Sequence, residues 1–206
     1  LKHLEKNTTV LTRLRKEQSL LFADRITEGL RDLNFADVRF QIDFSGLPEY
    51  TSNGKDDIAY MISMNPGEPL KPLAEVASGG ELSRIMLAIK TVMADRDEIP
   101  TLIFDEIDVG ISGRTAQKVS EKMAVIGKTH QVICITHLAQ IAAQADAHYL
   151  IEKTVEEGTT HTGIRQLSEE ESIEELARIL GGAKITDAVL ENAREMKELA
   201  RGGRGE

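Results

Sequence analysis

Three observations predict an α/β fold, a mostly parallel sheet with flanking helices behind an N-terminal helix. Short apolar runs alternate with amphipathic stretches from Leu82 onward, the strand, helix, strand, helix rhythm of parallel strands joined by crossover helices. One of these runs, Thr101-Leu102-Ile103-Phe104, is apolar without alternation and stops abruptly at Asp105-Glu106, as a strand covered on both faces would. The first 34 residues instead follow a helical period.

In chain order, Leu4, Leu11, Leu14 and Leu21 are spaced as a heptad seam, which Phe22, Ile26, Leu30 and Leu33 continue with drift. This leaves the root of a coiled coil and an ordinary amphipathic helix both open. Val38, Phe40, Ile42 and Phe44 alternate with polar residues, and Ile58, Tyr60, Ile62 and Met64 do the same after a loop bearing Gly, Pro and Asp, so two half-buried strands are expected to pair antiparallel. Leu82, Ile85, Met86, Ile89, Val92 and Met93 mark one buried helical face. The strand at 101–104 follows, then a helix from about Gly113 to Ile126, the run Val132-Ile133-Cys134-Ile135, and a helix beginning near Leu138. Residues 148–153 and 163–167 read as a hairpin, and two terminal helices close the chain, the first capped by Gly181-Gly182. Residues 201–206 are expected to be a disordered tail.

With 206 residues, 41% hydrophobic and 29% charged, the chain can build one sizeable core. Its net charge of −9 argues against a basic nucleic-acid clamp, so any DNA contact must be local. The single cysteine, Cys134, is expected to be a buried thiol in a reducing compartment. Neither a membrane-length apolar run nor a signal peptide is apparent, and a soluble, cytoplasmic protein is expected. A chain that starts at Leu1 in helix-like sequence is expected to be a segment of a longer polypeptide.

The densest chemical signal is Ala77-Ser78-Gly79-Gly80-Glu81-Leu82-Ser83-Arg84. Ser78 and Glu81 have the spacing of a capping box at a helix start. That leaves Gly79 and Gly80 unexplained, since each costs a helix about 1 kcal/mol relative to Ala. Bare glycines at a helix N-terminus leave N–H groups open to an anion and suit a phosphate. Asp105 and Glu106 end an apolar strand at the sheet edge where ligands of open α/β folds bind. One such acid can hold Mg²⁺ while its neighbour accepts a proton from attacking water, although an isolated acidic pair also reads as a solvated strand end. His137 ends the next strand, which should bring it to the same edge, where an imidazole can bond a phosphate oxygen. Gly127-Lys128-Thr129 only imitates a phosphate-binding loop, because Lys122 stands where the first glycine belongs and the order of elements is reversed.

Together these segments resemble the ABC ATPase superfamily. Residues 77–84 are similar to its signature motif in the form S-G-G-E-x-S-R of SMC-like members, 101–106 to Walker B, 108–114 to the D-loop, and His137 to the switch histidine. Within the superfamily, residues 135–148 (ITHLAQIAAQADAH) and the acidic stretch after them resemble the RecN family of bacterial DNA repair proteins. The resemblance covers about residues 1–200. It implies the C-terminal lobe of an ABC/SMC-type P-loop ATPase head, with residues 1–34 as a returning coiled-coil helix and 35–200 as half of the head. Walker A is missing, so this segment by itself is expected to bind ATP poorly and to be inactive. In such proteins two heads close over two ATP molecules. Ser78, Gly79, Gly80 and Glu81 would therefore meet the γ-phosphate held by the opposite head. Asp105 would hold Mg²⁺, Glu106 activate water, His137 steady the γ-phosphate and Asp108 couple the two sites. The implied partners are the N-terminal half carrying Walker A, a second head in a homodimer, and DNA near double-strand breaks, with no membrane and a nucleoid-associated location. Two other readings share these motifs: a transporter ATPase subunit, which leaves residues 1–34 without a role, and a non-catalytic interaction domain.

Overall fold

The computed structural model describes residues 2–76, 79–156, 159–182 and 184–202. The chain forms two compact units, Leu1–Ile107 with Val125–Ile133 and Asp108–Ala124 with Cys134–Glu206.

In the first unit, α1 (Lys2–Arg31) is one continuous helix of 30 residues. Its C-terminal third enters the core through Ala23, Ile26 and Leu30, while Leu4, Leu14 and Leu21 of the heptad seam stay exposed. Asn34 ends the helical region in the left-handed conformation (φ 71°), which Asn tolerates better than most residues. β1 (Arg39–Thr51) and β2 (Gly54–Ser63) pair antiparallel with Phe40 opposite Ile62, Ile42 opposite Tyr60 and Phe44 opposite Ile58. A short β3 (Lys71–Pro72) joins the outer side of β2.

This hairpin is longer than its alternating apolar residues predict, because Ser45 to Thr51 and Gly54 to Asp57 extend the strands into the expected loop. The extension is held from outside the hairpin. Asp56 accepts hydrogen bonds from Thr12 Oγ1 (2.6 Å) and Arg15 Nη1 (2.8 Å) of α1, and those bonds hold its carboxyl below the usual range. Gly54, at φ 105°, makes the tight turn against Leu11.

α2 (Gly79–Met93) buries Ile85 and Ile89 of the expected face together with Leu87 and Ala88, whereas Leu82 is exposed and Met86, Val92 and Met93 are half-buried, so the buried stripe is rotated from the one the periodicity predicts. β4 (Thr101–Phe104) pairs with β5 (Gln131–Cys134), and α3 (Gly113–Ile126) lies between them in sequence as the crossover of a parallel pair. Leu102 and Phe104 are buried, but Ile103 is 68% exposed and Ile133 44%. The expectation of burial on both faces therefore holds for one face of this pair among the described residues. Cys134 is half-buried rather than enclosed, for the same reason. Gly127, Lys128 and Thr129 form the turn that ends α3, with Thr129 N–H donating to Ile126 O (3.1 Å), which explains their likeness to a phosphate loop without its function.

In the second unit the helix expected near Leu138 is only one turn long, α4 (Ala139–Ala142). β6 (Tyr149–Glu156) and β7 (Thr159–Gln166) form the expected antiparallel hairpin, with Ile151 opposite Ile164. α5 (Glu169–Gly181) begins with a complete capping box, Ser168 and Glu171 bonding reciprocally, and ends at Gly182 (φ 63°). α6 (Asp187–Gly202) follows, so Arg201 and Gly202 of the expected tail are helical, and residues 203–206 lie outside the described residues. Ala139, Ala142 and Ala143 pack with Leu176, Ala177 and Ala193 as the core of this unit.

A polar cleft of about 320 Å³ opens beside α5 and α6. In it Lys197 Nζ donates to Ser172 Oγ (2.6 Å), and Ser172 lies 2.8 Å from His148 Nδ1. An ammonium can only donate, so the serine hydrogen goes to a neutral His148. Burial first, then the Lys197 charge, pushes the His148 pKa down against the opposing pull of Glu175. The unfolded chain consequently takes up a proton that the folded chain resists. Stability should be full above about pH 6.5 and fall as the pH drops toward the depressed folded value, by at most about 1.4 kcal/mol per pH unit before discounting for partial exposure. Urea midpoints from pH 7.5 to 5 for the parent and His148→Gln should show this component vanish in the variant. Identical pH slopes would remove His148 as its source.

Candidate functional site

In the first unit the signature segment meets the acidic strand end. Ser78 lies outside the described residues, and its predicted capping of Glu81 with it. Gly79 and Gly80 open α2, and Glu81 stands in its first turn. The first N–H groups of a helix have no partner within it and carry partial positive charge. β4 delivers Asp105 and Glu106 to this place, both exposed. Glu106 has φ 57°, a left-handed conformation that costs a non-glycine residue about 1–2 kcal/mol. Asp105 Oδ1 accepts its N–H at 2.9 Å and helps hold the turn. The consequence is a close approach: a Cβ placed on Gly79 would collide with Glu106 Oε2. A side chain at 79 would therefore push the Glu106 carboxylate from its place, independently of any phosphate.

The same helix anchors the loop that carries the acids. Ser83 Oγ donates to Asp105 O (2.9 Å), and Arg84 Nη1 to Ile107 O (3.2 Å). Arg84 is buried and lies 5.5 Å from the Phe35 ring centroid, a cation–π distance, and burial lowers its pKa more than Glu81 raises it. Sequence reasoning gave Ser83 and Arg84 no task. The available signal was their place in the motif, one turn beyond the glycines.

Asp108 and His137 meet in the second unit. Asp108 is 3% exposed, and its Oδ2 accepts from Thr136 Oγ1 (2.5 Å) and His137 N–H (2.8 Å), with His137 Nδ1 at 3.0 Å. Thr136 Oγ1 accepts Leu138 N–H (3.0 Å). The His137 side chain is 72% exposed. Thr136 was not singled out from sequence, since its partner lies 28 residues away.

The described residues contain no group of three or more His, Cys, Asp or Glu able to hold a metal. Asp105 nevertheless suits Mg²⁺: it is an exposed hard-oxygen donor whose Oδ1 is fixed by a backbone N–H. Mg²⁺ beside a nucleotide usually takes one or two carboxylates, phosphate oxygens and water rather than a protein cage. No helix among the described residues is long and apolar enough to cross a membrane.

The fold is that of part of an SMC-type head domain. It aligns with the Smc head domain of Pyrococcus yayanosii at a TM-score of 0.55 and 21% identity, over 79% of this chain and 29% of that one. The Smc head of Pyrococcus furiosus gives 0.53 and 20%, over 85% and 41%. In sequence the chain resembles DNA repair protein RecN. It is 43% identical to RecN of Halalkalibacterium halodurans over 96% of this chain and 36% of that protein, and 38% identical to RecN of Bacillus subtilis over 92% and 36%. RecN of Treponema pallidum is 44% identical over 90% and 34%. The chain thus spans about a third of the length of these curated relatives. No family model matches it.

Proposed function

We propose that the chain is the C-terminal part of an SMC-like ATPase that acts in DNA double-strand-break repair and recombination and hydrolyses ATP where two heads meet. The observation that carries this reading is the meeting of Gly79 with Glu106. A helix N-terminus suited to anions and a carboxylate suited to general-base work stand together at the end of an apolar strand.

In this reading Ser78, Gly79 and Gly80 present α2 to the γ-phosphate of ATP held by the opposite head, with Glu81 in its first turn. Glu106 accepts the proton of the attacking water, and the hydrogen bonds from Ser83 and Arg84 keep its loop rigid. Asp105 would hold Mg²⁺, which when bound neutralises phosphate charge. His137 steadies the γ-phosphate, and Asp108 communicates with it through the contact described above. Hydrolysis removes the bridging phosphate and releases the heads, and α1, as the base of a coiled coil, transmits that change. Its exposed Leu4, Leu14 and Leu21 support a partner helix there. The N-terminal half of the polypeptide supplies Walker A and covers the exposed face of β4 and β5, which the exposure of Ile103 and Ile133 supports. This segment alone is then inactive, and the complete protein works in the cytoplasm at the nucleoid.

Calorimetry with a nonhydrolysable ATP analogue and Mg²⁺ tests the reading. The isolated chain should give no binding heat, and the complete polypeptide should bind and dimerise. Ser78→Arg should bind the analogue yet remain monomeric. A variant that dimerises like the parent would show that the trans contact is misassigned, and a complete polypeptide that ignores the analogue would leave only a scaffold.

A further inference from the structure

We infer that Thr136 is a positioning residue that sets the orientation of the His137 ring through Asp108. The inference rests on the reading of His137 as a phosphate-facing group and adds the residue that aims it.

Three features of the second unit carry it. First, the ring is mostly exposed, so packing does little to choose its rotamer; its Nδ1 lies 3.0 Å from Asp108 Oδ2. Second, Asp108 is buried, and a buried carboxylate oxygen is tolerable only with donors around it. The donors to Oδ2 come from two consecutive residues, the Thr136 hydroxyl and the His137 backbone N–H, together with the ring. Third, the Thr136 hydroxyl gives its hydrogen to Asp108 and accepts the N–H of Leu138. It thereby closes a small ring of bonds around the residue that bears the imidazole.

The chemistry follows from donor counting. Asp108 Oδ2 accepts only, so Nδ1 must carry the hydrogen, and Nε2 is left on the outward side of the ring. Removing the Thr136 hydroxyl takes one donor from Oδ2 and one acceptor from Leu138 N–H. The remaining bonds can then rearrange, and an exposed imidazole is free to sample other rotamers. A hydrogen bond to a charged group is strong enough that its loss in the transition state should cost turnover about tenfold or more. The effect belongs in kcat, because in this reading the His137 contact to the γ-phosphate strengthens as charge develops in the transition state.

The experiment uses the complete polypeptide, labelled with ¹⁵N-histidine, as parent, Thr136→Ala and Thr136→Ser. The parent should show a His137 Nδ1–H resonance protected from solvent exchange. Thr136→Ala should lose that protection and lower kcat by about tenfold or more, with KM for ATP little changed. Thr136→Ser, which restores the hydroxyl, should recover both. Where alanine prevents folding, Thr136→Val keeps the side-chain volume and is read in the same way. A protected Nδ1–H in the hydroxyl-less variant overturns the inference. Loss of protection with parental turnover upholds the positioning and overturns instead the assignment of His137 to the phosphate.

Discussion

Glu106→Gln in the complete polypeptide is expected to lower ATP turnover by about 10²–10⁴-fold, the range for losing a general base, while ATP-driven association of heads persists. The exchange keeps the size of the side chain and its hydrogen-bonding reach, so the turn at Asp105 and the approach to Gly79 should survive. It removes the one property the proposed chemistry requires, a lone pair able to take a proton from water. Backbone strain points to the same residue. A glutamate held at φ 57° stays there only because its surroundings over-determine it, and here Ser83 and Arg84 tie the loop on both sides. Single-turnover measurement of phosphate release separates this loss from slowed product release. Turnover equal to the parent's would take Glu106 out of the role.

How much of this was legible in the sequence depended on how far apart the interacting residues lie. Strand β4 and its two acids could be read because a short apolar run ends in charge, a purely local signal. Helix α2 was readable through the periodic spacing of Leu82 to Met93, and α5 through its buried stripe and Gly182. The extension of the β1–β2 hairpin was not, because Gly46, Leu47 and Pro48 look like a loop. The bonds that stabilise the longer strands run from Asp56 to Thr12 and Arg15, more than 40 residues earlier. The same limit hid the left-handed backbone of Glu106 and the sharing of Asp108 between Thr136 and His137. Ile103 shows a further kind of gap. Its composition is right for a strand enclosed on both sides, and its 68% exposure fits a chain that spans a third of its relatives' length.

Gly79→Ala should separate stability from activity in opposite directions. Gly79 has the helical backbone of α2, so alanine is compatible with it, and the gain in helix propensity is up to about 1 kcal/mol. The new Cβ meets Glu106 Oε2, the mobile end of a long side chain, which can swing aside without disturbing the core. The apo protein should therefore melt at the parental temperature or slightly above it. Activity should fall by about 10²-fold, the scale on which a displacement near 1 Å of a catalytic group is felt, because the variant moves the proposed base Glu106 and places a methyl group where the proposed function brings phosphate to the helix. Adding Glu106→Gln to Gly79→Ala distinguishes the two causes. If displacement of the carboxylate is the whole defect, the double variant should turn over no more slowly than Glu106→Gln alone. If the methyl group also obstructs the γ-phosphate of the opposite head, the double variant should lose ATP-driven association that Glu106→Gln retains. Full activity in Gly79→Ala would mean that neither the carboxylate nor the phosphate needs the space this glycine leaves open.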